Sequence, residues 1–437
     1  MNQVRSLCPK CLKIIPGALR ETPLGLIMEK VCVDHGPFQA MISTDLKTYE
    51  RLSQSPRKVT RPIRYGAAPD KGCPEDCGLC PIHDQHTCLA IMEITTRCDL
   101  QCPICLSSSG PEGYETGLAT IESALETLLR SEGRVPPLQL SGGEPTLHDE
   151  LSEIIQSATG LGFQKIEIDT NGLLLSRDPL AAAKLREAGL TGVYLQMDGL
   201  TPEISQSIRG KDLVEAKLRA IANCKKVGLQ VVLSVTIIPG VNDDHLWEMV
   251  QFAIGQELTG INFQPFVRSG RFPQALNIPL EQFTLGHFLH KIERQSQGKL
   301  RAGDLSPIPC PDPRCGVICY ALIQQGELVP LNRFVGPDRL LDPMADLSDW
   351  ETVIRQVQAQ PCAPGKVSGC CEGAHDSFKK LFHDCDFFSI GCHGMMDAEN
   401  FDLERAKRCC VHELTAEGKL IPFCLYNIKY RPTRKWC

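Results

Sequence analysis

The run LAIMEIT (Leu89–Thr95), followed at once by TRCDLQCPIC (Thr96–Cys105), decides how the rest of the chain is read. The first seven residues are short, mostly apolar and bounded by polar positions, which reads as a buried strand. The loop after it carries Cys98, Cys102 and Cys105 at spacing C-x3-C-x2-C. Three thiolates on so tight a loop can converge on one iron–sulfur cubane and leave one iron without a protein ligand. A structural zinc site normally takes four protein ligands. This loop offers three, so an open cluster is expected over a zinc loop or three unrelated buried thiols.

Working outward, strand signals recur at Leu138–Leu140, Lys165–Ile168, Gly192–Met197, Gln230–Ile237 and Gly260–Gln264. Helical periodicity lies between them at Thr120–Arg130, Asp149–Thr159, Pro179–Ala188, Lys211–Lys226 and Asp244–Ile254. Strands alternating with helices imply a parallel sheet with right-handed crossovers. Six such units from 89 to 275 suit a partial (β/α)6 barrel, since a full eight-unit barrel takes about 250 residues. Chemistry in such barrels gathers where strands end, and the cysteine loop falls there. Ser141-Gly142-Gly143-Glu144-Pro145 follows the second strand. Its glycines allow close backbone approach to a ligand, and Glu144 can accept a hydrogen bond from an ammonium group. Asn171, Asp198 and Ser234, near the ends of strands three to five, would face the same pocket. Asn-Gly and Asp-Gly are turn formers in any case.

The cysteine triplet and the Gly142–Pro145 motif together resemble the radical S-adenosylmethionine (SAM) superfamily. The resemblance implies a 4Fe–4S cluster on Cys98, Cys102 and Cys105, with SAM chelating the open iron. It implies cleavage of SAM to a 5′-deoxyadenosyl radical able to attack unactivated carbon.

The 23 cysteines are the strongest compositional signal. Three precede residue 33, seven lie between 73 and 105, one is at 224 and twelve follow from 310. Outside an oxidising compartment, such a pattern points to metal or redox chemistry. Cys8, Cys11, Cys32 and His35 form two knuckles suited to zinc or a rubredoxin-like iron. Cys73, Cys77, Cys80 and Cys88 lie within sixteen residues and are expected to ligate an auxiliary 4Fe–4S cluster. His83 and His86 in the same stretch read as partners of those ligands or as exposed polar residues, with exposure the expectation. Cys310 and Cys315, with Cys409 or Cys410 and Cys424, are the candidates for a third cluster, and the other thiols read as buried. The organisation expected is a knuckle at 1–45, a connector and cluster module at 46–88, the barrel at 89–275 and a cysteine-rich region at 276–437.

Composition narrows the partners. A formal net charge of −6 gives no electrostatic reason to expect nucleic acid. No apolar run approaches the roughly 18 residues of a membrane span, and the first residues lack a signal-peptide pattern, so a cytoplasmic location is expected. Beyond the cluster loop, Cys73–Cys88, the Cys310–Cys315 pair with its following hairpin, and Phe401–Cys424 resemble the branch containing archaeal tetraether lipid synthase and a pterin methyltransferase. That resemblance implies auxiliary 4Fe–4S clusters, a mononuclear metal and an electron donor such as flavodoxin or ferredoxin. It also implies either carbon–carbon coupling of lipid chains, at a membrane surface, or alkyl transfer to a pterin or other small acceptor. Cys319, Cys370, Cys371 and the Cys409-Cys410 doublet depart from the pattern. A non-enzymatic electron carrier or a structural zinc protein is the rival reading; neither needs an open-iron triplet beside Gly142–Pro145.

Overall fold

The computed structural model describes residues 2–57, 59–273, 283–308, 310–333 and 386–431. Cys362, Cys370, Cys371 and Cys385 lie outside them. The N-terminal knuckle is a four-stranded antiparallel sheet in sequential order: β1 (Asn2–Leu7), β2 (Ile14–Thr22), β3 (Gly25–Cys32) and β4 (Gly36–Ser43). Its own apolar layer is small, built on Leu19, Leu26 and Met28. Lys30 on β3 is buried and donates to Ser6 Oγ, Leu7 O and, across the chain, Ala398 O.

Six strands then follow in parallel and in chain order: β5 (Leu89–Thr95), β6 (Leu138–Gly142), β7 (Ile166–Thr170), β8 (Gly192–Gln196), β9 (Gln230–Ile237) and β10 (Gly260–Pro265). This is the partial (β/α)6 barrel that the alternating pattern implies. One face of each strand packs outward: Ala90, Met92, Ile94, Leu138, Leu140, Ile166 and Ile168 join Ile121, Leu125, Leu128, Ile154 and Ile155 of the covering helices in the main core. Two helices escaped the periodicity reading, Leu173–Arg177 and Pro202–Arg209. The first is too short to show a period. The second is announced by its caps, Thr201 before Pro202 and Gly210 after it.

The region after 275 does more than carry cysteines. β11 (Ser306–Pro307), β12 (Gly316–Gln324), β13 (Glu327–Pro330) and β14 (Asp386–His393) extend the sheet beyond β10, with β14 parallel to it. The hairpin expected after the Cys310–Cys315 pair is β12–β13, which turns at Gln325-Gly326. On the other side β15 (Val411–Leu414) adds parallel to β5, and β16 (Leu420–Pro422) pairs antiparallel to β15. Among the described residues, the sheet runs β11-β12-β14-β10-β9-β8-β7-β6-β5-β15-β16, with β13 on β12. Its two edges, β11 and β16, are not hydrogen-bonded to each other. The barrel is open at a seam, and the C-terminal chain borders both sides of it.

Candidate active site and metal centres

The Cys98–Cys105 loop is clamped by backbone from two directions. Gly143 N–H donates to Thr95 O at 2.8 Å and Glu144 N–H to Arg97 O at 2.8 Å. A Cβ on Gly142 would stand 2.0 Å from Thr95 O, and one on Gly143 2.1 Å from Arg97 O. The glycine pair therefore admits backbone against backbone, where the sequence suggested backbone against ligand. From the loop after the last strand of the six, Arg271 and Cys105 exchange backbone hydrogen bonds of 2.8 and 2.9 Å, and Arg271 Nε donates to Cys102 O at 2.8 Å.

Cys98 and Cys102 are buried and Cys105 is half-buried, grouped with Leu100, Leu173 and Leu213. Burial pushes the Cys98 thiol up to about 12, with some relief from the Leu100 N–H that points at its sulfur. Burial also raises Cys102, and the Arg209 guanidinium beside it works against that. Thiols that meet an N–H or a guanidinium suit thiolates bound to a cluster. Among the described residues only two other groups of three or more metal-binding side chains hold their ligand atoms within 4.8 Å of one another. The triplet is thus more widely spread than a single ion would hold it, as a cubane with one iron per thiolate requires.

Glu144 is buried and its carboxylate takes four protein donors: Thr146 N and Oγ1, Thr170 Oγ1 and Asn171 N. It ties the β6 loop to the end of β7; Pro145 starts the single turn that follows. Asn171 reaches the cluster loop, its Nδ2 donating to Asp99 at 2.8 Å. Asp198 is held by Arg209 through two bonds of 2.6 and 2.9 Å and by Thr236 N at 3.0 Å. Its role in this geometry is to aim Arg209 at the cysteine loop. Arg209 precedes a capping glycine, so in sequence it reads only as a helix-end cation.

Side chains alternate along each strand, and the inward row of this barrel is polar. It includes Glu93, Ser141, Glu167, Asp169, Tyr194, Gln196, Ser234, Asn262 and Gln264, all on strands whose outward residues form the core. Tyr194 OH accepts from Gln264 Nε2 at 3.0 Å. Burial, and then the carboxylate of Glu144, raise Asp169 to about 7. Burial also raises Glu167 and, with Glu93 beside it, Glu413. Glu413 Oε1 accepts from Glu93 N at 3.0 Å, while its Oε2 is buried without a partner. Of these interior acids, Asp169 falls in the strand-three end that the sequence places at the pocket, while Glu93, Glu167 and Glu413 carry no such signal.

The cysteine modules are sorted differently from their order in the chain. Cys8, Cys11, Cys32 and His35 do converge: Cys11 and Cys32 sulfurs are 3.9 Å apart, and His35 Nδ1 lies 3.6 and 3.5 Å from Cys8 and Cys32. A tetrahedral zinc with bonds of ~2.3 Å to sulfur and ~2.0 Å to nitrogen has edges of about 3.8 and 3.6 Å. The fit is close. Cys88, however, does not join Cys73, Cys77 and Cys80. β15 lies beside β5 with Val411 opposite Leu89, so the preceding residues, Cys410 and Cys88, become neighbours, and Cys88 N donates to Cys410 O at 2.8 Å. Cys310 packs with these two, away from Cys315. Cys409 Sγ donates to Val411 O at 3.1 Å, and its thiol interacts electrostatically with Cys424, Cys315 and Cys77. Cys73, Cys77, Cys80, Cys315, Cys409 and Cys424 remain as donors for auxiliary clusters. The expected exposure of His83 and His86 is also wrong: both are buried, His83 against His412 at 3.1 Å. Cys224, Cys319 and Cys392 are plain core thiols.

Residues 92–253 match the model of the radical SAM superfamily, and residues 1–44 match that of the HMPTM N-terminal zinc ribbon domain. Over 98% of its length the chain is 31% identical to 7,8-dihydro-6-hydroxymethylpterin dimethyltransferase of Methanocaldococcus jannaschii, covering 93% of that protein. The chain belongs to the radical SAM superfamily, in the family of that dimethyltransferase. It is therefore an enzyme whose cofactors are a 4Fe–4S cluster and SAM. A shorter match, 35% identical over 37% of this chain and 52% of the relative, is to a probable GTP 3′,8-cyclase of Methanothermobacter thermautotrophicus. Among solved structures, Streptococcus suis SuiB bound to its precursor peptide is 12% identical over 67% of this chain and 69% of its own, with a TM-score of 0.41. No helix among the described residues is long and apolar enough to cross a membrane.

Proposed function

We propose that this radical SAM enzyme transfers methyl groups to a reduced pterin or a similar bicyclic heterocycle, and does not couple lipid chains. The polar barrel interior carries the reading. Alkyl tails threaded past Glu93, Glu167, Asp169, Gln196 and Asn262 would bury those groups against hydrocarbon, a cost of roughly 1–3 kcal/mol for each polar group left unpaired. A pterin ring meets the same wall with N–H donors and a carbonyl oxygen. Its amino and ring N–H groups suit the carboxylates, and its carbonyl suits an Asn or Gln amide. The relative's name points to the same substrate class.

In this reading Cys98, Cys102 and Cys105 hold the cluster, and Arg209, fixed by Asp198, offsets negative charge beside Cys102. The bound cluster and SAM supply a 5′-deoxyadenosyl radical. Gly142 and Gly143 keep the loop against β5, and Glu144 locks Thr170 and Asn171 in register with it. Asp169, whose carboxyl burial and Glu144 push up to about 7, can take or return a proton within the interior.

The test is anaerobic incubation with SAM, dithionite and 7,8-dihydro-6-hydroxymethylpterin, followed by mass spectrometry. The pterin should gain one or two methyl groups. The triple variant Cys98→Ala, Cys102→Ala, Cys105→Ala should lose about four irons per chain and release no 5′-deoxyadenosine. Deoxyadenosine release with no mass gain on the pterin, together with coupling of added archaeal lipids, would reverse the choice of substrate.

A further inference from the structure

Glu413 is a buried carboxyl that the fold turns into the barrel and leaves half-satisfied. On β15 it lies opposite Ile91 of β5; Ile91 lies opposite Gln139, and Gln139 opposite Glu167. Residues in one such cross-strand row share a face of the sheet. Leu414, the next residue, joins the outward core, so Glu413 points inward, one row deeper than Glu93. It is 1% exposed, while Glu93 and Ser141 in the row above are only half-buried, so the lumen is open there.

Glu413 Oε1 accepts from Glu93 N–H at 3.0 Å and keeps a second lone pair. Glu413 Oε2 is buried without a protein partner. The polar groups around it are engaged elsewhere. Arg431 pairs with Glu93 Oε1 and donates through Nε to Asn427 Oδ1 at 3.0 Å, and Tyr426 OH donates to Glu93 Oε2 at 2.8 Å. Burial and the neighbouring Glu93 carboxylate hold the Glu413 carboxyl well above the usual range, so it keeps its proton. Oε1 is the acceptor, which puts the O–H on Oε2. A buried O–H without an acceptor is as unfavourable as a lost hydrogen bond, and the side from which an acceptor can reach this one is the lumen.

Resting on the pterin reading above, we propose that Glu413 selects the substrate by its aminopyrimidine edge. Oε2–H donates to the ring nitrogen beside the exocyclic amino group, and Oε1 accepts from that amino group. The 2-oxo counterpart, a lumazine, carries N–H where the pterin has a bare nitrogen and oxygen where it has the amino group. It sets donor against donor and acceptor against acceptor, and the Glu93 N–H keeps the carboxyl from reversing to suit it. Ile91 lies four residues before Thr95, about 13 Å along the strand. A pterin seated on Glu413 therefore directs its other ring up the barrel, toward the Cys98–Cys105 loop. Glu413 sets specificity and orientation and exchanges no atom with the substrate.

The anaerobically isolated full chain is to be titrated by calorimetry with SAM present and no reductant, so that binding is read without turnover. The two ligands are 7,8-dihydro-6-hydroxymethylpterin and its 2-oxo counterpart. The parent should favour the pterin by about tenfold or more. Glu413→Ala should bring the two close to parity, whereas Glu413→Gln, whose amide keeps an N–H donor and a C=O acceptor, should retain the preference. A parent that binds neither heterocycle overturns the pterin reading and this assignment together. A parent without the preference, or a preference kept in Glu413→Ala or lost in Glu413→Gln, overturns this assignment alone. Should Glu413→Ala fail to fold, difference infrared spectroscopy decides. The protonated carboxyl band that Glu413→Gln lacks should shift when the parent binds pterin; an unshifted band refutes the contact.

Discussion

Asp169 faces the carboxylate of Glu144 in an interior largely cut off from water, and its pKa rises from 3.8 to about 7. The folded chain thus holds this proton more tightly than the unfolded chain. Its contribution to stability is fully present below pH 4 and is lost as the pH climbs through 7. Asp169→Asn removes that loss, so its melting temperature should exceed the parent's by more at pH 8 than at pH 5. Equal differences at the two pH values would show that Asp169 titrates normally. A second residue-scale prediction concerns Gly143. The oxygen and carbon of Arg97 lie 2.1 and 2.6 Å from where its Cβ would be. Backbone cannot swing aside as a side chain can, so Gly143→Ala should cost about 1–3 kcal/mol of stability and displace the cluster loop. Anaerobic iron analysis should show loss of cluster iron from this variant; full iron retention would mean the clamp is slack.

At the scale of elements, strands with one-sided apolar runs and local turn signals were legible. Leu89–Thr95 and Gln230–Ile237 run as their sequences read, because each pairs with at least one strand close in the chain and its outward residues join the main core. The β14 and β15 pairings were not legible. Val411 lies opposite Leu89 across more than 300 residues, and nothing in either run names its partner. The N-terminal ribbon was legible for the opposite reason: its ligands fall within 28 residues, and its own core is too small to fold without them. Cys11→Ser should therefore lose one metal ion per chain and expose the ribbon to limited proteolysis. Deoxyadenosine release by the cluster should stay close to that of the parent. A variant that keeps every metal would sink the assignment, and one that stops SAM cleavage would make the ribbon part of the active site.

The whole molecule divides its thiols by position along the barrel, and that division could not be read from spacing. Cys310 and Cys315 are five residues apart and look like one motif, yet Cys310 turns to the seam and Cys315 does not. Cys315 directly precedes β12, whose first residue, Gly316, pairs with His393 at the end of β14. β14 is parallel to β10, so Cys315 lies at the end of the sheet where the parallel strands finish. That is also the end from which the Cys98–Cys105 loop projects, and the end where such barrels do their chemistry. Cys409 and Cys424 interact with it electrostatically, and Arg405 Nη2 donates to its sulfur at 3.5 Å. A cluster anchored there is placed to act on substrate or pass it an electron. One lacking Cys315 leaves Cys98, Cys102, Cys105 and their clamps untouched. Cys315→Ala should therefore still release 5′-deoxyadenosine with dithionite while methylated product falls to background. Cys77→Ala, in a thiol packed against Met396, Phe401 and Leu403, should instead lower iron content and soluble yield. The assignment fails if Cys315→Ala forms product at the parental rate, because the thiols at that end would then be ornamental to the reaction and the cluster loop would suffice alone.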